Sequence, residues 1–212
     1  MFDGNGEFGI YIVTDKLVTI NNFSASGNTG KGILVEGFDY YIWDPIGATW
    51  VSAEKQAGAT TVTVTIPNYT NKASDNGNTG IRIDSSGTVK LDRMAANGND
   101  FRGIEINTLG SITVSNVKAF ANSEEAVKLF NKDAASAMAV TVTNIETSDT
   151  IGIKGRGLDI ESRGAVKVTA LKALNNSELG LNINNTAGGL GLAGIILMLV
   201  LALTATRSQK PL

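Results

Sequence analysis

A 23-residue repeat constrains this chain more than any other feature of it. Gly80-Ile81-Arg82-Ile83 opens one unit and Gly103-Ile104-Glu105-Ile106 opens the next. Each unit continues through an alternating apolar run, Val89/Leu91 and then Ile112/Val114, and closes on Ala-x-x-Asn, as Ala96/Asn99 and Ala119/Asn122. Openers fall at Gly9, Gly32, Gly80, Gly103, Ala126, Gly157 and Gly180, with spacings of 23, 48, 23, 23, 31 and 23. The two odd spacings are one unit plus an insertion. A unit this short cannot bury its apolar face alone, so neighbouring units must stack.

The columns hold their phase. One residue after the opener sit Ile10, Ile33, Ile81, Ile104, Val127, Leu158 and Leu181; two further on sit Ile12, Val35, Ile83, Ile106, Leu129, Ile160 and Ile183. The second apolar pair runs Val18/Ile20, Val62/Val64, Val89/Leu91, Ile112/Val114, Val140/Val142 and Val166/Val168, and a third position holds Phe23, Met94, Val117, Ile145 and Leu171. Period-two alternation broken by Gly and polar turns predicts three short strands per unit, each with one buried face. Strands that return to the same column every 23 residues describe one coil of a parallel β-helix, with coils about 4.8 Å apart. A sandwich needs no such strict register, and leucine-rich repeats of this period carry a denser leucine pattern.

An asparagine column supports the same reading. Asn5, Asn28, Asn76, Asn99, Asn122 and Asn176 each lie four residues before an opener, and Ala25, Ala73, Ala96, Ala119 and Ala173 lie three residues before five of these. An amide carries both donor and acceptor, so stacked Asn side chains can bond to one another and to the turn backbone. A structural Asn ladder is the expectation.

The pattern Ala-x-x-Asn-x-x-x-Gly-[Ile/Leu]-x-[Ile/Val], over residues 1–189, resembles right-handed parallel β-helix proteins of the pectin-lyase-like type. The resemblance implies an all-β, single-stranded right-handed β-helix, of the kind found in lyases, glycosidases, phage tailspikes and bacterial adhesins. Asn5 already closes a coil, so residue 1 enters in mid-repeat. The expectation is the C-terminal part of a longer protein.

Two insertions interrupt the repeat, near 37–59 and 131–139. The first gathers Phe38, Tyr40, Tyr41, Trp43 and Trp50, which include both tryptophans of the chain. Aromatic rings stack on sugar faces and give large contact area at low entropic cost. Tyr40, Tyr41, Trp43 and Trp50 are therefore the candidate ligand-binding residues, with polysaccharide or a cell-surface glycan as partner. Packing of the insertion against the coils is the competing role for the same rings.

Residues 190–206 form an apolar run without a charge, followed by a short basic tail, 207–212, with Arg207 and Lys210. A helix of that length is close to the minimum that spans a bilayer. The expectation is a transmembrane or anchor helix, with the tail cytoplasmic and residues 1–189 outside. Gly188-Gly189 before the run adds a resemblance to bacterial C-terminal surface-sorting tails, which would be cleaved on anchoring.

Chemistry is constrained mostly by absence. There is no Cys and no His, which removes thiolate and imidazole metal sites and the Ser-His-Asp triad. A net charge of −2 provides no basic stripe for nucleic acid. Pectin-degrading glycosidases of the resembling type use Gly-His-Gly and paired aspartates, and its pectate lyases use clustered Asp ligands with an Arg base. Neither arrangement occurs here. Three columns are further candidate sites: the alternating charges Arg82, Glu105, Lys128 and Asp159, which read as exposed cross-strand pairs; Glu36, Asp84, Asn107 and Glu161 as a calcium or acid–base set; and Thr19, Thr63, Thr113 and Thr141 as an ice-binding face, which Lys90 and Lys167 interrupt. No catalytic residue, metal or cofactor is assigned. The function expected from sequence is a membrane-anchored bacterial cell-surface stalk or adhesin that binds carbohydrate without catalysis. The alternative is a polysaccharide lyase or glycoside hydrolase whose catalytic coils are missing or unrecognised.

Overall fold

The structure, a computed structural model, describes residues 1–14, 16–21, 23–37, 41–44, 49–52, 62–65, 72–185 and 195–198. It is a parallel β-solenoid of about six turns. Each opener leads into a strand of sheet A: β1 (Ile10–Val13), β3 (Ile33–Glu36), β7 (Ile81–Ser85), β9 (Ile104–Thr108), β11 (Val127–Phe130), β13 (Leu158–Ser162) and β15 (Leu181–Asn185). Sheet B takes the second run of each coil: β2 (Val18–Ile20), β6 (Val62–Thr65), β8 (Val89–Ala95), β10 (Ile112–Phe120), β12 (Val140–Ser148), β14 (Val166–Leu174) and β16 (Ile195–Met198). Neighbours along both sheets are parallel and successive in coil order. A separate antiparallel pair, β4 (Tyr41–Asp44) and β5 (Thr49–Ser52), lies within the first insertion.

The register is the one the columns predict. Ile10 pairs with Ile33, Ile33 with Ile81, Ile81 with Ile104, Val127 with Ile104 and with Leu158, and Leu158 with Leu181. Their side chains fill one continuous core. Ile81, Ile83, Ile104, Ile106, Leu158 and Ile160 have no measurable exposure, whereas the same columns at the two ends, Ile10/Ile12 and Leu181/Ile183, are only half-buried.

Three findings differ from the sequence expectation. First, the second and third runs are not separate strands in coils 3–6. They form the single long strands β8, β10, β12 and β14, bent at one left-handed residue each: Arg93, Asn116, Asn144 and Ala170, with φ between 54° and 57°. The ladder skips those residues, so the strand turns a corner without ending. Second, the extra length of the fifth coil is divided between two turns. From Ile104 to Ile112 is 8 residues but from Val127 to Val140 is 13, and from Ile112 to Val127 is 15 but from Val140 to Leu158 is 18. Five residues thus enter near 131–139 and three near 151–156.

Third, the only part of the apolar run 190–206 among the described residues is a strand. Ile195–Met198 pairs in parallel with β14, Val166 against Ile195 and Thr169 against Met198. An unbroken apolar stretch does not by periodicity alone distinguish strand from helix, and here an open strand edge satisfies its backbone. No helix among the described residues is long and apolar enough to cross a membrane. The remainder of the run and the tail lie outside the described residues.

Candidate functional site

The turn that carries the Asn column is built from backbone first. The residue before each ladder position has positive φ: Gly4, Gly27, Asp75, Gly98, Ala121, Asp149 and Asn175. That kink aims the next side chain inward, into the stack. Asn5 Nδ2 donates to Asn28 Oδ1, Asn28 Nδ2 to Asn76 Oδ1, Asn76 Nδ2 to Asn99 Oδ1 and Asn99 Nδ2 to Asn122 Oδ1, each at 2.9 Å. The same Oδ1 atoms also accept from the backbone N–H of the preceding Asn. Every link runs the same way along the solenoid. The openers are small because the ladder lies over them: a Cβ at Gly32 would sit 2.6 Å from the Gly80 carbonyl oxygen and 2.8 Å from Asn76 Nδ2.

The ladder does not extend to Asn176. In the coil before it Thr147 and Thr150 stand where the others have Ala and Asn, and both are buried. Thr150 Oγ1 lies 2.6 Å from the Gly155 carbonyl and 2.9 Å from Asn176 Oδ1, with one hydrogen to give. Thr147 Oγ1 and Asn176 Nδ2 are buried without a partner.

A second polar column closes the opposite turn, and sequence reading missed it. Lys16, Gly87, Gly110 and Gly164 donate their backbone N–H groups to the hydroxyls of Thr14, Ser85, Thr108 and Ser162, two residues earlier. Asn131 takes the same place in the fifth coil, donating to the Gly110 and Met138 carbonyls. The signal was present as Ser/Thr-x-Gly at 85–87, 108–110 and 162–164. It is a turn device, as hydroxyl-to-backbone bonds of this span usually are.

The charged column is not the exposed face the alternation suggested. Glu105 and Asp159 are buried because an arginine from the residue before an opener folds over each. Arg102 reaches Glu125 at 2.7 Å, Glu124 at 3.2 Å and Glu105 at 3.3 Å, and its guanidinium lies 4.3 Å from the Phe101 ring centroid. Arg156 reaches Glu178 at 2.7 Å and Asp159 at 3.1 Å. Burial works against the Glu125 carboxylate. Hydrogen bonds from its own backbone N–H and from Arg102, with the charges of Arg102 and Lys128, overcome that and hold its pKa below the ordinary value. Burial opposes the Arg102 charge too, and Glu105, Glu125 and Glu124 outweigh it. Each of these carboxylates thus has an arginine within ion-pair distance.

The acidic column is similarly engaged. Glu36 and Asp84 are register partners, as expected. Glu36 accepts from the Tyr11 hydroxyl at 2.7 Å, while Asp84 accepts from Arg82 at 2.9 Å and Asn107 at 2.8 Å. The bond to Glu36, then burial, then the charges of Glu36 and Glu7 push the Tyr11 phenol up to about 12. Among the described residues no three acidic groups gather as a metal site would require. Thr19, Thr63, Lys90, Thr113, Thr141 and Lys167 do form one sheet-B column, with both lysines inside it.

Of the four aromatic candidates, Tyr40 lies outside the described residues. Tyr41 and Trp43 fall on β4 and Trp50 on β5, and the antiparallel register sets Trp43 against Trp50 and Tyr41 against Ser52. Both tryptophans of the chain thus share one cross-strand register position, on a strand pair that belongs to neither long sheet. Comparison of the chain with protein-family models, with curated proteins and with solved structures gives no match.

Proposed function

We propose that this chain is a non-catalytic β-solenoid of the cell surface, of the right-handed pectin-lyase-like type, serving as an adhesin or stalk that contacts carbohydrate through the β4–β5 hairpin. The observation that carries this reading is the Trp43–Trp50 register on a hairpin set into the solenoid. A rigid scaffold with one inserted loop is a common arrangement for a binding surface. Tryptophan provides the flat apolar area that pyranose rings stack against. The described carboxylates on sheet A are tied to arginine, lysine, asparagine or tyrosine, which favours recognition over acid–base work. Membrane attachment through a continuous helix over 190–206 is not part of this reading, since Ile195–Met198 pairs as a strand.

A glycan-array screen of the full chain beside Trp43→Ala/Trp50→Ala tests it. The expected result is binding to one or a few glycans that the double variant loses while its circular dichroism spectrum stays β-rich. Binding unchanged in the variant would overturn the hairpin assignment. Unsaturated or shortened oligosaccharides after incubation would overturn the non-catalytic reading.

A further inference from the structure

The charges of the central coils are sorted between the two sheets. On sheet A the outward positions of β7, β9, β11 and β13 hold the cations Arg82 and Lys128 against the acids Asp84, Glu105, Asp159 and Glu161. On sheet B the balance is reversed. Between the register columns of Lys90 and Ala95, the outward and corner positions of β8, β10, β12 and β14 hold the cations Lys90, Arg93, Lys118, Lys167 and Lys172. The acids there are Asp92 and Glu146 alone, and Lys72 adds a further cation beside Ala95. The net charge of −2 for the whole chain averages over these two faces and so conceals a basic one.

Both acids are engaged within the face. Asp92 accepts from Ser115 at 2.6 Å and from Asn116 at 2.7 Å and pairs with Arg93 at 3.3 Å, while Glu146 pairs with Lys172. Lys72, Lys90, Lys118 and Lys167 are exposed. Lys90 and Lys167 stand in one column three coils apart, about 14 Å at the usual strand spacing, with Thr113 and Thr141 between them. The other positions of the face are Thr, Ser, Asn and Ala.

We propose that the outer face of sheet B binds an anionic polysaccharide, one bearing sulfate or carboxylate groups, laid along the solenoid. The lysine ammonium groups neutralise its charges, and the interleaved hydroxyls and amides bond to its hydroxyls. The composition of the face favours this class over other polyanions. Phe120, one outward position past Lys118, is a single ring where stacking on successive bases needs a series. No side chain between the Lys90 and Ala95 columns is apolar beyond Ala, so nothing there enters a bilayer. These residues are distinct from the Trp43–Trp50 hairpin, and the inference does not rest on the role given to that hairpin.

Isothermal titration of the full chain with dextran sulfate, carboxymethyl-dextran and unmodified dextran tests this. Lys90→Gln/Lys167→Gln is measured beside Lys128→Gln/Lys154→Gln, which removes the same charge away from sheet B. The expected result is binding of at least one charged dextran, weakened by salt, and none of the neutral one. The Lys90/Lys167 pair should lose about tenfold in affinity and the control pair about twofold, with unchanged circular dichroism in both. The better-bound charged dextran identifies the anionic group. Trp43→Ala/Trp50→Ala should leave this binding intact. Failure to bind either charged dextran would overturn the proposal, as would equal losses in the two lysine pairs or loss in the tryptophan variant. Duplex DNA bound more tightly than both charged dextrans would overturn the assignment to polysaccharide.

Discussion

The Asn99 turn and the Thr150 turn occupy the same place in their coils and solve the same problem differently. At Asn99 one side chain satisfies three groups: its Oδ1 accepts from the Asn76 amide and backbone, and its Nδ2 donates onward to Asn122. At Thr150 a single hydroxyl serves the local loop and touches Asn176, and the amide run stops. The difference coincides with extra chain: the Asn99 turn is the minimal one, while residues 151–156 lengthen the Thr150 turn. A short turn depends on the ladder for its polar groups. A longer one brings its own partners, as the bonds within it from the Gly155 and Arg156 N–H groups to the Gly152 and Lys154 carbonyls show.

Removing the ladder side chain should break that comparison most visibly. Asn99→Ala leaves the Asn76 N–H and Nδ2 unpaired in a buried stack and takes one of two bonds from Asn122 Oδ1, and should cost about 4 kcal/mol in urea unfolding. Thr150→Val, which removes one shared hydroxyl at nearly constant shape, should cost about 1 kcal/mol by the same measurement. Equal losses at the two positions would end the distinction between them.

The arginine-covered side sharpens it. Arg102→Ala strands Glu125 and Glu105 in a buried setting and should cost about 3 kcal/mol, whereas the double change Arg102→Met/Glu125→Leu should recover the part due to Glu125 and leave the part due to Glu105. The pH dependence follows from the direction of the Glu125 shift. Its folded pKa lies below the ordinary 4.5, so the stabilisation is fully present above that value and is lost as pH falls through the folded pKa. Thermal melts below pH 4.5 should therefore fall more steeply for the parent chain than for Glu125→Gln. The smallest effect is a gain: Thr150→Asn restores an amide between Asn122 and Asn176, and should raise stability by about 0.5 kcal/mol if the longer turn lets it reach both.

Much of this architecture is legible in the sequence, for a physical reason. Stacked coils force chemically equal positions into contact, so Ile81, Ile104 and Val127 repeat in sequence because they touch in space. What is not legible depends on contacts between unlike columns. The alternation Arg82, Glu105, Lys128, Asp159 reads as a solvated face until Arg102 and Arg156, from another column, are seen to cover it. The merging of two strands into β10 rests on a single left-handed residue, Asn116, whose type also suits a strand end. Thr147 and Thr150 escape notice because a repeat search rewards agreement, and they mark the coil that departs from it. The hairpin is legible as an aromatic insertion, but the Trp43–Trp50 register is not, since no repeat fixes it.

Hydrogen exchange of the asparagine side chains tests the ladder most directly. Carboxamide protons of Asn28, Asn76 and Asn99, each bonded to the next coil, should exchange on the timescale of global unfolding and be the slowest side-chain amides in the chain, with Asn176 well ahead of them. Exchange of all four at one fast, solvent-like rate would contradict the account.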